Sequence, residues 1–234
     1  MIIETVSFDA GGVLVHPNWQ RIAAALGAQG VTVDAHDLEI AEAAAKKRFD
    51  RNYTIKATND KQRGWLYFEH ILESVGIEPS EATNAALNEL LLYHARNNLW
   101  ESVAAGVPEA LEAVRSRGLR TIVVSNANGR LHALLDRLDL TRHFDTIVDS
   151  SVERVEKPDP RLFHIAMQRA KAIPERTLHV GDLYYVDVAG ARAAGMHPLL
   201  IDIADLYQDA DCPRVRSVAD VPAFVDGLRQ TQKN

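Results

Sequence analysis

Arg120-Thr121-Ile122-Val123-Val124-Ser125-Asn126, running on through Asn128 to Leu138, is the stretch that decides the fold. Residues 120–124 are rich in β-branched side chains, which suit the pleated surface of a strand. Residues 128–138 then place Leu131, Leu134, Leu135 and Leu138 at the i, i+3, i+4, i+7 spacing of one helix face. A strand followed at once by an amphipathic helix is half of a β-α-β unit.

The same alternation continues on both sides of this stretch. Asp145–Asp149 reads as a strand. Asp159-Pro160 reads as an N-cap with proline in the first helical position, opening a helix through Leu162, Ile165 and Ala166. Thr177–Val180 is a strand, Val186–Ala194 a helix stopped by Gly195, and Pro198–Ile201 a strand. Ile2–Phe8 supplies one more strand at the start. The pattern predicts an α/β fold, a doubly wound parallel sheet with helices on both faces.

Residues 16–98 read differently, with no convincing strand. Trp19, Ile22, Ala23 and Leu26 share one helix face, and Trp65, Phe68, Leu72 and Val75 share another, ended by Gly76. Ala41–Lys47 suits a helix, and Ser80 is an N-cap for a helix carrying Leu87, Leu90 and Leu91. Asp50–Asp60 is polar and aperiodic, and is expected to be a loop. The economical organisation is an α/β core of residues 1–15 and 99–234, with a helical domain, 16–98, inserted after the first strand.

Composition narrows the function classes. The 234 residues are 47% apolar and 25% charged, which excludes a disordered or collagen-like chain. The net charge of −6 argues against a dedicated nucleic-acid binder. A single cysteine, Cys212, precludes a disulfide within the chain and agrees with a cytoplasmic setting. No apolar run approaches a membrane span, and Glu4 and Asp9 stand where a signal peptide would be basic and then apolar. No HExxH or Cys/His pairing suggests zinc.

In a parallel sheet the strand C-termini share one edge, and ligands bind in the crevice outside it. Four polar positions follow strand ends: Asp9, Ser125-Asn126, Lys157, and Asp182 with Asp187 after it. Taken singly, each has an ordinary role as a turn residue, cap or solvated charge. Taken together, the acids repel one another unless a cation joins them, and a hard divalent ion such as Mg²⁺ suits oxygen donors. Lys157 adds a fixed positive charge. The Ser125 hydroxyl and the N–H groups opening the following helix offer an anion site. An aspartate in such a place can be a nucleophile that forms an aspartyl-phosphate.

This ordered set resembles the haloacid dehalogenase-like hydrolase superfamily over nearly the whole chain. Phe8-Asp9-Ala10-Gly11-Gly12-Val13-Leu14 is similar to its first motif, and Val123-Val124-Ser125-Asn126 to its second. Lys157-Pro158-Asp159-Pro160 is similar to the third. Gly181-Asp182 through Asp187 and on to Gly195-Met196 is similar to the fourth. The resemblance implies Asp9 as nucleophile, Ser125, Asn126 and Lys157 as holders of the transferred group, and Mg²⁺ on Asp9, the Gly11 carbonyl, Asp182 and Asp187. It also implies that the helical insert is the family's cap, which moves to exclude water. The implied substrate is a small phosphorylated metabolite.

One departure matters. Family phosphatases carry a second Asp two residues after the nucleophile, which protonates the leaving oxygen and later activates water. This chain has Gly11 there. Alkyl esters with poor leaving groups should suffer most, and acyl phosphates least in the first step. His16, just after the first motif, stands as a substitute acid/base against the plainer reading of a linker histidine beside Pro17. Two enzymatic alternatives follow. In a 2-haloacid dehalogenase Asp9 would attack carbon. A phosphonatase-like enzyme would need a cap lysine, for which Lys46, Lys47, Lys56 and Lys61 are present without a recognisable motif. A binding protein on a retired hydrolase scaffold is the non-catalytic alternative. Trp19, Arg21, Arg51, Asn52, Tyr53 and Lys61 are the residues from which substrate contacts in the helical domain would be drawn. The sequence does not name the substrate or the oligomeric state.

Overall fold

The strand β1 (Thr5–Phe8) has a parallel neighbour on each side, and every one of its residues is buried. The computed structural model describes residues 2–58 and 60–230, without the side chains of Asn52, Tyr53, Ile55, Asp60, Lys61 and Trp65. After β1 the chain runs through β2 (Val15–Pro17), α1 (Trp19–Ala28), α2 (Ala35–Phe49), α3 (Asn52–Ala57), α4 (Asp60–Ser74), α5 (Glu81–Asn97) and β3 (Trp100–Val103). It continues with α6 (Val107–Ser116), β4 (Arg120–Ser125), α7 (Leu131–Arg137), β5 (Thr146–Asp149), α8 (Ser150–Glu153) and α9 (Pro160–Ala170). β6 (Thr177–Gly181), a π-helical turn (Tyr184–Val188), α10 (Ala189–Ala193), β7 (His197–Ile201), β8 (Arg214–Val215) and α11 (Val221–Gln230) complete it.

Two compact units result: Met1–His16 with Val103–Asn234, and Pro17–Ser102. These boundaries lie one and four residues beyond the positions expected from sequence. The larger unit holds a six-stranded parallel sheet in the order β5-β4-β1-β6-β7-β8. The order reverses at β1, so the C-terminal end of β1 lies at the topological switch point. Phe8 and Ile122 to Val124 are fully buried, as expected where helices cover both faces of a sheet. One face packs Ile122, Val124 and Val148 against Leu162, Phe163 and Ala166 of α9. Asp159 caps α9 by accepting from the Arg161 N–H, with Pro160 in the first turn, as its sequence predicts.

The smaller unit is helical. Trp19, Ile22, Leu26, Leu38, Phe68, Ile71, Leu87 and Leu90 share one apolar cluster. Asn18, Asp34 and Ser80 cap α1, α2 and α5 through their side chains. Trp65, placed on the α4 face by its spacing, has a side chain outside the described residues.

Three expectations about secondary structure are corrected. The 50–60 segment is not all loop, since α3 lies within it. Local bonds close it, with the Thr58 hydroxyl donating to the Thr54 carbonyl and Arg63 donating to that of Thr58, so no apolar period is needed. The helix expected from Asn128 opens only at Leu131. The helix expected over 186–194 is divided into the π-helical turn and α10. There the Asp187 carboxylate turns back onto the N–H groups of Asp182 and Leu183, donors that a helix start leaves without partners. No helix among the described residues is long and apolar enough to cross a membrane.

Candidate active site

Asp9 follows the last residue of β1, and its own N–H donates to the Val180 carbonyl of β6 at 2.8 Å. That bond fixes the backbone beyond the strand end. The Ala10 N–H donates to Asp9 Oδ1 at 2.7 Å, and Lys157 Nζ approaches the same oxygen at 2.9 Å. Lys157 is fully buried and sits between two acids, its second bond running 2.6 Å to Asp187 Oδ1. Asp9, Asp182 and Asp187 each bring an oxygen to within 4.8 Å of the others. The structure thus gathers Asp9, Lys157, Asp182 and Asp187 from three separate sequence motifs.

Burial pushes the Asp9 carboxyl up, and the charges of Asp187 and Asp182 add to that push. Lys157 and the Ser125 hydroxyl oppose it, and the balance leaves Asp9 at about 6. Burial also acts against ionised Asp187, but Lys157 and His179 outweigh it and hold this carboxyl well below the usual range. For Lys157, burial disfavours the ammonium, yet Asp187 and Asp9 together raise its pKa. The cluster therefore contains one firm ion pair and one carboxylate, Asp9, that lacks full compensation. Oxygen-only donors around an incompletely balanced acid fit a hard divalent cation.

The supporting loops show how the motifs are held. Lys157 N–H donates to Asn126 Oδ1 at 2.7 Å, and Asn126 Nδ2 donates to the Lys157 carbonyl at 3.0 Å. Asn126 therefore fastens the loop of Lys157 to the end of β4, with both ends of its amide engaged. Lys157 and Pro158 are joined by a cis peptide bond. Three N–H groups of the loop after Ser125 have partners within the core. Ala127 donates to Ser150 Oγ, while Gly129 and Leu131 donate to the two oxygens of Asp149. The loop spends these three donors on β5 and α8, which holds the turn after Ser125 in place.

Glycine is required at two places. A Cβ on Gly190 would lie 2.8 Å from Phe163 Cε2 and 3.1 Å from Pro158 Cα, so the helix within the fourth motif packs tightly on the loop of the third. The second place is Gly181, where a Cβ would meet Asp187.

Other sequence candidates have different surroundings. His16 is half-buried on β2. Trp19 is buried in the helical cluster, and its Nε1 has no hydrogen-bond partner among the described residues. Arg21 bonds Glu101 at 3.3 Å and lies 3.8 Å over the Tyr93 ring. Lys46 pairs with Glu42 at 2.8 Å. Arg51 and Lys56 are exposed. The side chains of Asn52, Tyr53 and Lys61 lie outside the described residues.

Sequence reasoning missed Ser7, His179 and Asp149. Ser7 and His179 are cross-strand partners on β1 and β6. The signal was present in the two-residue alternation, which puts Ser7 on the face of Asp9 and His179 on the face of Gly181.

A family model described as haloacid dehalogenase-like hydrolase matches residues 3–195. The chain is 31% identical over 208 residues to the Homo sapiens protein "Haloacid dehalogenase-like hydrolase domain-containing protein 3", covering 85% of this chain and 82% of that one. It is 27% identical over 131 residues to the glyceraldehyde 3-phosphate phosphatase of Pyrococcus furiosus, covering 56% of this chain and 54% of that one. Among solved structures, the HAD-hydrolase YfnB from Bacillus subtilis, bound to magnesium, aligns with a TM-score of 0.69 at 15% identity. That alignment covers 96% of this chain and 99% of YfnB.

Proposed function

Because this chain belongs to the haloacid dehalogenase-like hydrolases, we propose that it is a Mg²⁺-dependent phosphohydrolase acting on a small phosphorylated metabolite, with Asp9 as nucleophile. The observation that carries the reading is Lys157, fully buried between Asp9 and Asp187, whose oxygens lie within 4.8 Å of each other and of an Asp182 oxygen. A site with one ammonium and three carboxylates suits a bound cation and an anionic substrate together. The phosphatase name of the Pyrococcus furiosus relative supports the same class.

Asp9, the Gly11 carbonyl and Asp182 are the proposed holders of Mg²⁺, which when bound supplies positive charge to the phosphoryl oxygens. Asp187, which accepts from four groups, would meet the ion directly or through water. An Asp9 carboxylate oxygen attacks phosphorus, the bond from phosphorus to the leaving oxygen breaks, and an aspartyl-phosphate remains. Lys157 and the Ser125 hydroxyl hold the phosphoryl oxygens while this happens. Water then attacks phosphorus, releasing phosphate and restoring Asp9. With Gly11 in place of the acid, a leaving group that departs as a carboxylate needs no proton. Acyl phosphates are thus the favoured class in the first step. The helical unit is the proposed cap, and specificity is assigned to it.

The test is phosphate release from acetyl phosphate and from a simple alkyl phosphate, with and without Mg²⁺. Release that needs Mg²⁺, vanishes in Asp9→Asn and favours acetyl phosphate is expected. Absence of release from both substrates, with halide release from a 2-haloacid instead, would replace the reading by attack of Asp9 on carbon.

A further inference from the structure

His179 is buried at the sheet's centre, directly beneath the acidic cluster, and the reaction described above gives it no part. Its imidazole makes two polar contacts. Nδ1 lies 2.9 Å from Ser7 Oγ, and Nε2 lies 3.2 Å from Asp187 Oδ1. The Phe163 ring packs edge-on against it, with centroids 4.8 Å apart. No water-facing surface is left through which the ring could exchange these partners.

The partners assign the tautomer. An ionised carboxylate only accepts, so Nε2 must carry the proton that faces Asp187. Lys157 already supplies a full cation to the same Oδ1. With that cation already on the shared oxygen, the ring stays neutral, Nδ1 is the bare nitrogen, and the Ser7 hydroxyl donates to it. Ser7 and His179 face each other across β1 and β6, so strand register alone sets their spacing.

The result is one continuous chain of contacts: Ser7 to His179, His179 to Asp187, Asp187 to Lys157, Lys157 to Asp9. Asp187 has four donors. Two are the N–H groups of Asp182 and Leu183, one is Lys157, and among the described residues His179 is the only one reaching it from the body of the sheet. Without His179 the carboxylate is tied only to its own turn and to the lysine it is meant to place.

We propose that His179 is a positioning residue: locked by Ser7 as the Nε2–H tautomer, it anchors Asp187 to the sheet and through it aims Lys157 at Asp9. The kinetic side of this rests on the phosphohydrolase reading, whereas the tautomer does not. Loss of an anchor one step removed from the reacting atoms is expected to cost about 10–100-fold in kcat.

The experiment has two arms. In the first, ¹⁵N NMR of imidazole-labelled protein, with the His179 signals assigned by comparison with His179→Gln, reads the tautomer. A pyrrole-type Nε2 and a pyridine-type Nδ1 are expected, and a protonated Nδ1 would overturn the proposal whatever the activity. In the second, kcat and KM for acetyl phosphate are measured for His179→Leu, His179→Gln and Ser7→Ala at equal Mg²⁺. His179→Leu should lose kcat with KM within about twofold. His179→Gln, whose amide N–H can reach Asp187, should recover most of it, and Ser7→Ala should fall between. Unchanged kcat in a folded His179→Leu, or equal losses in the Leu and Gln variants, would overturn the proposal. If His179→Leu fails to fold, Ser7→Ala and His179→Gln decide the kinetic arm. Inactivity of the unmodified protein would remove the phosphohydrolase reading, and the NMR arm would still decide the tautomer.

Discussion

The Cβ that Gly181 lacks would overlap both Cβ and Cγ of Asp187. The last residue of β6 is thus shaped by the acid that folds back over it. Gly181→Ala forces Asp187 out of its place, and its bonds to Lys157 and His179 go with it. The expected outcome is loss of turnover together with destabilisation of about 1–3 kcal/mol, measured by phosphate release and urea unfolding. A Gly181→Ala protein with full activity would show that Asp187 need not stand where it does.

Lys157→Met removes the only cation seen between Asp9 and Asp187 among the described residues. Breaking a buried ion pair from one side leaves uncompensated charge and costs about 3–5 kcal/mol. Denaturant midpoints should fall accordingly at neutral pH, and turnover should vanish. Mg²⁺ should recover part of the stability and none of the turnover.

Asp9 sets a pH dependence with a definite sign. Its carboxyl is held at about 6 in the folded state against 3.8 as the reference. Below both values it is protonated in either state and contributes nothing. Between them the unfolded chain ionises first, so stability falls as pH rises, and above about 6 the loss is complete. Asp9→Asn should therefore melt higher than the unmodified protein at pH 7.5 without metal, on the order of 5 °C. The two should converge near pH 4. Mg²⁺ should raise the melting temperature of the unmodified protein and leave Asp9→Asn nearly unmoved. Thermal scans across pH, with and without the ion, read all of this.

Gly11→Asp supplies the acid that the first motif lacks. Positioned general acid–base help is worth about 10²–10⁴-fold. The gain should appear mainly with an alkyl phosphate, whose leaving oxygen needs a proton, and much less in the first step with acetyl phosphate. The ratio of kcat/KM for the two substrates, before and after substitution, is the measurement. An unchanged ratio would mean that another group, with His16 the first to replace by Ala, already provides the proton.

The strand ends were legible because the physics behind them is local. Ile122 to Val124 are β-branched and apolar because helices cover both sheet faces, and the polar residue after such a run must lie at the sheet's edge. The same reasoning located Asp9, Lys157 and Asp182. It failed at Asn128, where leucine spacing alone opened a helix three residues early. Asp149 at the end of β5 and Ser150 at the start of α8 hold that turn, and no pattern within 128–138 records them. It failed also over α3, which hydrogen bonds of Thr58 and Arg63 close.

The sequence by itself determined the parallel sheet, the helical insertion after the first strand, and which acids and which lysine meet at one edge. Strand and helix periodicities are properties of neighbouring residues, and the chain order of the motifs carries them to the same end of the sheet. Only the tertiary structure decided how those groups divide their work. Asp187 spends its oxygens on Lys157, His179 and two N–H groups, and Asn126 spends its amide on the Lys157 backbone. Each of those pairings depends on β6 lying beside β1 and on the Lys157 loop closing against β4. Hydrogen bonds are short and directional, so their partners are chosen by which segments become neighbours in space, and that choice has no period along the chain.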